Sequence, residues 1–411
     1  MKAKCIIILM ILTLFSNSHL LASGRSVGMA GAYTAASKGS ESVLWNPANL
    51  GFSRGSEKTF NFFSFRININ NNSFNWGDYT QYNGQFLTAE DKKNILNSIP
   101  SEGFNLKLDA NISILRISRG NFAFTLSGKG SSDLLLPKEP VEYLFFGNKF
   151  NDTLLIENSD GEAFASFEIS LSYGRSIFKL NEKEFFCGGN IRIIRGVVYQ
   201  KVEKTEGKLL TLETGINGDG DFILKSAQGG KGYALDLGFA MKYKDDWTFG
   251  ISFFNLLNQI RWNKGTKERG YQFSLDSLLA ENFDMDSLVT ELSYTKDIDP
   301  FATKTPILMR LGLARQGKRL LWTLDLERGF GERMGLSKKL KASLGAEYRV
   351  LSWLDILGGI SVGGKDGITL ANGIGFNLGT YRLDIGLANH KGLWPTKSKG
   401  IALAISSEFQ W

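Results

Sequence analysis

The sequence predicts an all-β fold: a transmembrane antiparallel β-barrel of about 14 strands with its N-terminal segment tucked inside the lumen. Apolar residues recur with a period of two in many separate segments, as strands with two unlike faces require. Aromatic residues stand at the ends of those apolar faces, where Tyr and Trp settle at the two headgroup levels of a bilayer. Beyond the signal-like start, no apolar run approaches the roughly 18 residues of a membrane-spanning helix. Only helices and closed barrels satisfy every backbone group in lipid, so a spanning chain of this kind closes on itself.

The chain opens with Lys2 and Lys4, an apolar run over 5–15, and then Leu21, Ala22 and Ser23. That is the layout of a cleaved signal peptide, placed at 1–23, and it assigns export. Cleavage would remove Cys5 and leave Cys187, so no intramolecular disulfide is expected, and no cysteine follows the cleavage point to carry a lipid anchor. It would also lower the formal charge from +7 to +5. The excess is spread along the chain without a basic block, so nucleic acid is excluded as a partner.

Segment 24–57 is neither a two-faced strand nor a charged linker. Its small residues Gly28, Ala30, Gly31, Ala32, Ala35 and Ala36 permit the close backbone packing that a segment inside a lumen needs. The barrel is assigned to 58–411. Within it Phe167, Ile169, Leu171 and Tyr173 share a face opposite Glu168, Ser170 and Ser172, and Tyr233, Leu235, Leu237, Phe239, Met241 and Tyr243 share one opposite Ala234, Asp236, Gly238 and Ala240. The same alternation sets Leu311 and Leu313 against Arg310, Leu344 and Tyr348 against Glu347 and Arg349, and Ile385 against Arg382 and Asp384. Charges at alternate positions are costly in a dry core and cheap in a wet lumen, where Glu347 with Arg349 and Arg382 with Asp384 are expected to pair. The chain ends on a strand whose apolar face, from Ile401 through Leu403 and Ile405 to Phe409, runs to Trp411.

Short links near Gly120, Asn181, Asp245, Gly317, Leu351 and Gly379 alternate with long ones at 70–102, 134–161, 263–304, 328–337 and 390–398. Outer-membrane barrels keep short turns on the periplasmic side and long loops outside, with an even strand number. The segment 209–228 would make that number odd, and assigning 203–231 to an external hairpin restores parity.

The stretch GRSVGMAGAYTAASKGSESVLWNPANLGF, with Asn46, Pro47 and Ala48, resembles the start of FadL-type outer-membrane transporters and their relatives PorV and PorQ. YALDLGFAMKYKDDWTFGISFFNLLNQIRW, from Tyr233, is similar to a hairpin of PorV-like barrels. The resemblance implies that 24–57 is a hatch within a fourteen-stranded barrel, with Gly28, Gly31, Trp45, Asn46 and Pro47 as its gating candidates. It also implies that Phe409 and Trp411 form the signal read by the barrel-assembly machinery, with Ser407 departing from the usual apolar pattern. Asn46 and Pro47 have a plainer structural role available, since Pro fixes a turn and Asn caps one.

Catalysis finds little support, and no enzyme, cofactor or metal is assigned. The sole histidine of the exported chain is His390, and a hydrolase would have to be built on it with an acid such as Asp384. NGDGD at 217–221 hints at calcium, with Glu213, Asp219 and Asp221 as oxygen donors, but the helix-loop-helix calcium pattern fails at Phe222 and Gln228, and a turn rich in Asn, Gly and Asp accounts for it. The transport reading has external loop residues Tyr143, Leu144, Phe145 and Phe146 collecting a hydrophobic small molecule that the hatch lets pass across the outer membrane. The alternative, drawn from the PorV resemblance, is a docking component of a type IX-like secretion system with secretion-system proteins as partners. Outer-membrane lipid surrounds the barrel in either case.

Overall fold

In the computed structural model, which describes residues 23–53, 57–147, 150–244, 246–278, 289–392 and 394–411, the last strand of the chain pairs with the first. The wall begins with β1 (Lys58–Asn71), β2 (Phe104–Arg119) and β3 (Phe122–Leu136). After the short β4 (Thr153–Leu155) it continues with β5 (Asp160–Leu180) and β6 (Lys183–Leu212). Outside the ring, β7 (Gly215–Ala227) folds back on the far half of β6, and the wall resumes with β8 (Gly230–Tyr243) and β9 (Trp247–Trp262). A second excursion, β10 (Lys267–Leu278), β11 (Val289–Asp297) and β12 (Phe301–Thr303), precedes β13 (Leu308–Gln316). The ring is completed by β14 (Leu320–Gly329), β15 (Lys341–Leu351), β16 (Leu354–Gly363), β17 (Thr369–Leu378), β18 (Tyr381–His390) and β19 (Gly400–Gln410). Every neighbouring pair is antiparallel, and the closed path β1-β2-β3-β5-β6-β8-β9-β13 to β19 and back to β1 contains 14 strands.

The seam shows how the chain end is held. Ser64 to Asn70 of β1 lie opposite Ser406 to Gly400 of β19, and Trp411 exchanges backbone bonds with Lys58, its carbonyl accepting at 2.8 Å and its N–H donating at 3.1 Å. The Phe409 ring packs 5.0 Å from Tyr381.

Side chains sort as their parity demands. On β8, Tyr233, Leu237 and Phe239 are exposed on the outer face, whereas Ala234, Asp236 and Ala240 are buried on the inner one. On β5, Phe167, Ile169 and Leu171 point out and Glu168, Ser170 and Ser172 point in. An outer wall this apolar is stable only against lipid, since water would leave one continuous apolar surface unpaid in hydration free energy. At the turn end this wall carries a girdle of aromatic pairs: Phe122 with Tyr173 at 4.7 Å, Trp247 with Trp322 at 5.4 Å, and Trp353 with Phe376 at 6.4 Å.

The six short links stand at one end and the long links at the other, as the alternation requires. A seventh long-side link, between β16 and β17, is not apparent in the sequence because it is only five residues and turns on Gly363, Gly364 and Gly367, all with positive φ. The hairpin 203–231 is present as the far half of β6 with β7, and β7 also pairs with β10, so a small sheet rises beyond the barrel rim. NGDGD lies within β7 and is not a turn; Asp221 sits 2.9 Å from Lys204 and Asp219 3.4 Å from Lys208 across the pair. Residues 1–22, and with them all but the last residue of the expected signal peptide, lie outside the described residues.

Candidate functional site: the leader within the lumen

Residues 23–53 run round the inside of the wall as four short helical turns, Gly24–Gly28, Gly39–Glu41, Ser42–Trp45 and Pro47–Phe52. The first is capped by Ser23, whose hydroxyl accepts from the Ser26 N–H while Ser26 returns a bond to the Ser23 N–H. Nearly every residue of the segment is buried. Its path is permitted by glycines on the inner face. A Cβ on Gly386 would meet the Gly24 carbonyl, one on Gly359 the Met29 backbone, one on Gly312 Thr34 and Ala35, one on Gly238 Asn46 and Pro47, and one on Gly188 the Pro47 carbonyl. Strands β18, β16, β13, β8 and β6 thus each lose a side chain where the leader crosses them, the use for which strand glycines are selected.

Wall side chains bond the leader along its length. Arg25 reaches three carboxylates on three strands: Glu347 on β15, Asp355 on β16 at 3.0 Å and Asp384 on β18 at 3.1 Å. Asp325 on β14 accepts from the N–H groups of Tyr33 at 3.0 Å and Thr34 at 2.8 Å. Thr323 donates to the Ala32 carbonyl, Ser252 to that of Trp45, Asn190 to that of Val43 and Arg310 to that of Leu44. The Arg310 guanidinium also lies 4.5 Å from the Trp45 ring, while Tyr33 meets that ring edge-on at 5.9 Å. Ser40 donates to Glu408 at 2.6 Å, so the loop at 37–41 reaches the seam strands. Charged and hydrogen-bonded contacts of this kind, out of water, hold a segment in one place.

The residues singled out from the sequence divide. Gly28 lies against Leu357 and Gly373, and Gly31, with φ 82°, lies beside the Lys341 amine. Trp45 is buried among Tyr33 and Arg310. Asn46 does two things: its Oδ1 caps the 3-10 turn by accepting from the Ala48 N–H, and its Nδ2 donates to the Phe239 carbonyl on β8. Pro47 opens that turn. Tyr143, Leu144, Phe145 and Phe146 lie on an external helix, Lys138–Phe146, with Leu144 80 % exposed and the neighbouring hollow lined by Tyr143, Leu154 and Leu155 together with Glu139, Glu142, Asp152 and Glu157. Arg25 and Asp325 carry no local sequence signal of their contacts, since their partners lie far along the chain. Glu347 pairs with Arg25 rather than with Arg349, which turns to Asp355 at 3.4 Å, while Arg382 and Asp384 do pair, at 3.1 Å. Asp384 therefore belongs to Arg25 and Arg382, and His390 is bonded through Nδ1 to Thr369 at 2.8 Å, so the two do not form a hydrolytic pair.

Above the leader the inner face changes character. A buried polar layer, in which Arg192 joins Glu168 at 3.0 Å and Asp236 at 2.8 Å beside Lys129, gives way toward the loop end to an apolar cluster of Phe164, Ile194, Tyr199, Ile260, Trp262 and Met334. Met334 comes from the 330–340 loop and sits at φ 50°, a strained conformation for a non-glycine residue. Its loop is held down by Arg333, whose guanidinium donates to Glu162 at 2.6 Å, a bond that raises the arginine above its ordinary range. On the opposite rim the Lys391 amine donates to the Asn71 carbonyl at 2.8 Å and that of Lys399 to Asn72 at 3.1 Å.

A closed barrel with a filled lumen of this design is the FadL type of fold. The toluene transporter TbuX of Ralstonia pickettii superimposes with a TM-score of 0.57 at 13% identity, covering 95% of this chain and 98% of that one. The toluene transporter TodX of P. putida gives 0.53 at 10% (95% and 98% covered), and a FadL homologue of Pseudomonas aeruginosa 0.52 at 14% (95% and 99% covered). No curated protein matches the chain. By sequence it belongs to a family of unknown function, DUF5723, whose model matches residues 47–220 and 210–386.

Proposed function

We propose that this protein is an outer-membrane barrel that takes up hydrophobic small molecules at its external end, and that its leader is the hatch closing the route below. The observation that carries the reading is the apolar cluster around Trp262 at the loop end of the lumen, beyond the charged layer of Glu168, Arg192 and Asp236 and covered by Met334 on a loop. Met is the side chain best suited to leave such a site, being flexible and adaptable to different occupants. An apolar molecule in its place would recover the burial that Met334 gives up and relieve the strained backbone there. The external helix with exposed Leu144 and Phe146 supplies a first contact surface for such a molecule. The solved transporters of the same fold that carry toluene make an aromatic or aliphatic hydrocarbon the natural class of cargo. Passage further needs the leader to move, because the charged layer of Glu168, Arg192 and Asp236 and the bonds at Arg25 and Asp325 leave no apolar path past it.

Mass spectrometry of the protein extracted from its own membrane in mild detergent tests this reading. A stoichiometric apolar molecule, whose retention changes in Met334→Ala, supports uptake. An empty lumen with stoichiometric secretion components or exported cargo would replace it with the docking role that the PorV resemblance suggests.

A further inference from the structure

The lipid-facing wall is not uniformly convex. Between β2 and β8, near the turn end, lies a groove of about 910 Å³, within the size range that buries a small ligand. Its floor is low because β6 presents Cys187 and Gly189 outward, where neighbouring strands carry Leu171, Tyr173 and Leu237. Apolar residues line nearly all of it. Besides Ser172, whose side chain faces inward, the exceptions are Arg119, at the end of β2, and Arg175, on β5, whose Nε donates to the Ser176 carbonyl at 3.3 Å; both are exposed and without an ion-pair partner among the described residues. The register places them two strands apart on the same face, since Arg119 is opposite Phe122 and Phe122 opposite Tyr173, two residues before Arg175. At the ~4.8 Å strand spacing the two long side chains can reach one headgroup. A second depression on the same wall, about 650 Å³ and lined by Phe178, Met241, Phe249 and Leu313, has no cation at all. Unpaired arginines on a membrane wall are costly unless an anion meets them, and guanidinium is the side chain that grips a phosphate bidentately.

We infer that this groove is a binding site for an anionic phospholipid of the periplasmic leaflet, with an acyl chain lying along Cys187 and Gly189 and the phosphate held by Arg119 and Arg175. The short-turn end of such a barrel faces the periplasm, which puts the arginines at the headgroup level of that leaflet. The site is separate from the lumen, so the inference stands whatever the barrel carries inside.

Cys187 provides the reporter. A bimane fluorophore on Cys187 of the full chain in detergent is titrated with phosphatidylglycerol carrying brominated acyl chains, which quench on contact. Quenching is expected at least about tenfold lower in lipid than for a bimane on the opposite wall, in a Cys187→Ser, Ile360→Cys chain. Arg119→Gln with Arg175→Gln should remove that advantage, while the heat-modifiable gel mobility of the folded barrel stays unchanged. In the unaltered arginine background, brominated phosphatidylcholine should quench more weakly than phosphatidylglycerol, so the inference is tested even if the double variant does not assemble. Equal quenching at positions 187 and 360, equal quenching by the two lipids, or displacement by millimolar inorganic phosphate alone would overturn it.

Discussion

Arg25 and Asp384, 359 positions apart in the chain, meet at 3.1 Å inside the barrel, where both are buried. Asp355 lies 3.0 Å from the same guanidinium and Glu347 completes the set, so one leader cation stands against three wall carboxylates. The geometry makes Arg25 the anchor for the first turn of the leader.

Arg25→Gln should therefore release that turn. Breaking a buried ion pair from one side costs about 3–5 kcal/mol; here Arg349 still meets Asp355 and Arg382 still meets Asp384, so the uncompensated charge falls on Glu347 and the lower end of that range applies. If the leader closes the lumen, the expected outcome is a rise in single-channel conductance and in liposome swelling by polar sugars, with barrel assembly intact. Arg25→Lys, which keeps the charge but not the fork that engages several carboxylates, should leak less than Arg25→Gln. Conductance equal to that of the unaltered protein in both variants would remove the hatch from the proposal.

Two adjacent glycines on β16 offer a sharper test of the leader's path. A Cβ at Gly359 would strike the Met29 backbone, whereas one at Gly358, pointing to lipid, would meet nothing within 4 Å. Gly359→Ala should destabilise by about 1–3 kcal/mol, as overpacking does, while Gly358→Ala should be neutral or slightly stabilising. Urea unfolding of the two variants in lipid vesicles reads the difference directly.

At the seam, Phe409 contributes an aromatic contact to Tyr381, worth about 0.5–1.5 kcal/mol beyond its area. Phe409→Ala with deletion of Trp411 removes that contact and the two backbone bonds to Lys58, a loss confined to the seam of the folded barrel. If these residues also address the chain to the barrel-assembly machinery, the amount reaching the membrane should fall severalfold, much more than the loss of stability explains. Comparing membrane yield in cells with refolding yield in detergent separates the two effects.

Outside the membrane, burial lowers the Lys391 amine to about 8; Asp366 opposes the shift, and the charges of Lys107, Lys399 and Lys339 add to it. The unfolded chain holds this proton up to about 10.4, so between those values the unfolded state binds more protons. Stability of this loop should rise with pH across that window and be lowest below it. Methylated-lysine NMR should find one amine titrating near 8, and Asp366→Asn should move it lower still. A titration near the ordinary lysine value would contradict the burial.

Much of this architecture was legible in the residues because period-two alternation is local: Tyr233 and Asp236 declare their faces without reference to any distant strand. Parity alone placed the hairpin beyond β6 outside the wall. The leader's bonds were not legible in the same way. Arg25 looks like any basic residue near a start, and its carboxylates lie in three separate hairpins. A signal for the leader's course did exist in Gly238, Gly312, Gly359 and Gly386, each an inward position in an otherwise regular strand. The aromatic and aliphatic side chains of Tyr143 to Phe146 are visible in the sequence, but that they lie on a helix depends on packing beyond it.

The leader also constrains the order of events. It precedes every strand of the wall in the sequence, yet the Gly24 N–H donates to Ser406 and the Ser40 hydroxyl to Glu408, both on the final strand. Contacts spanning nearly the whole chain form late and slowly. The segment must therefore wait unfolded until synthesis is complete, and then seat as the last hairpin arrives. Because it touches strands all round the circumference at fixed glycines, it gauges that circumference, and a wall one hairpin larger or smaller would leave it without a berth.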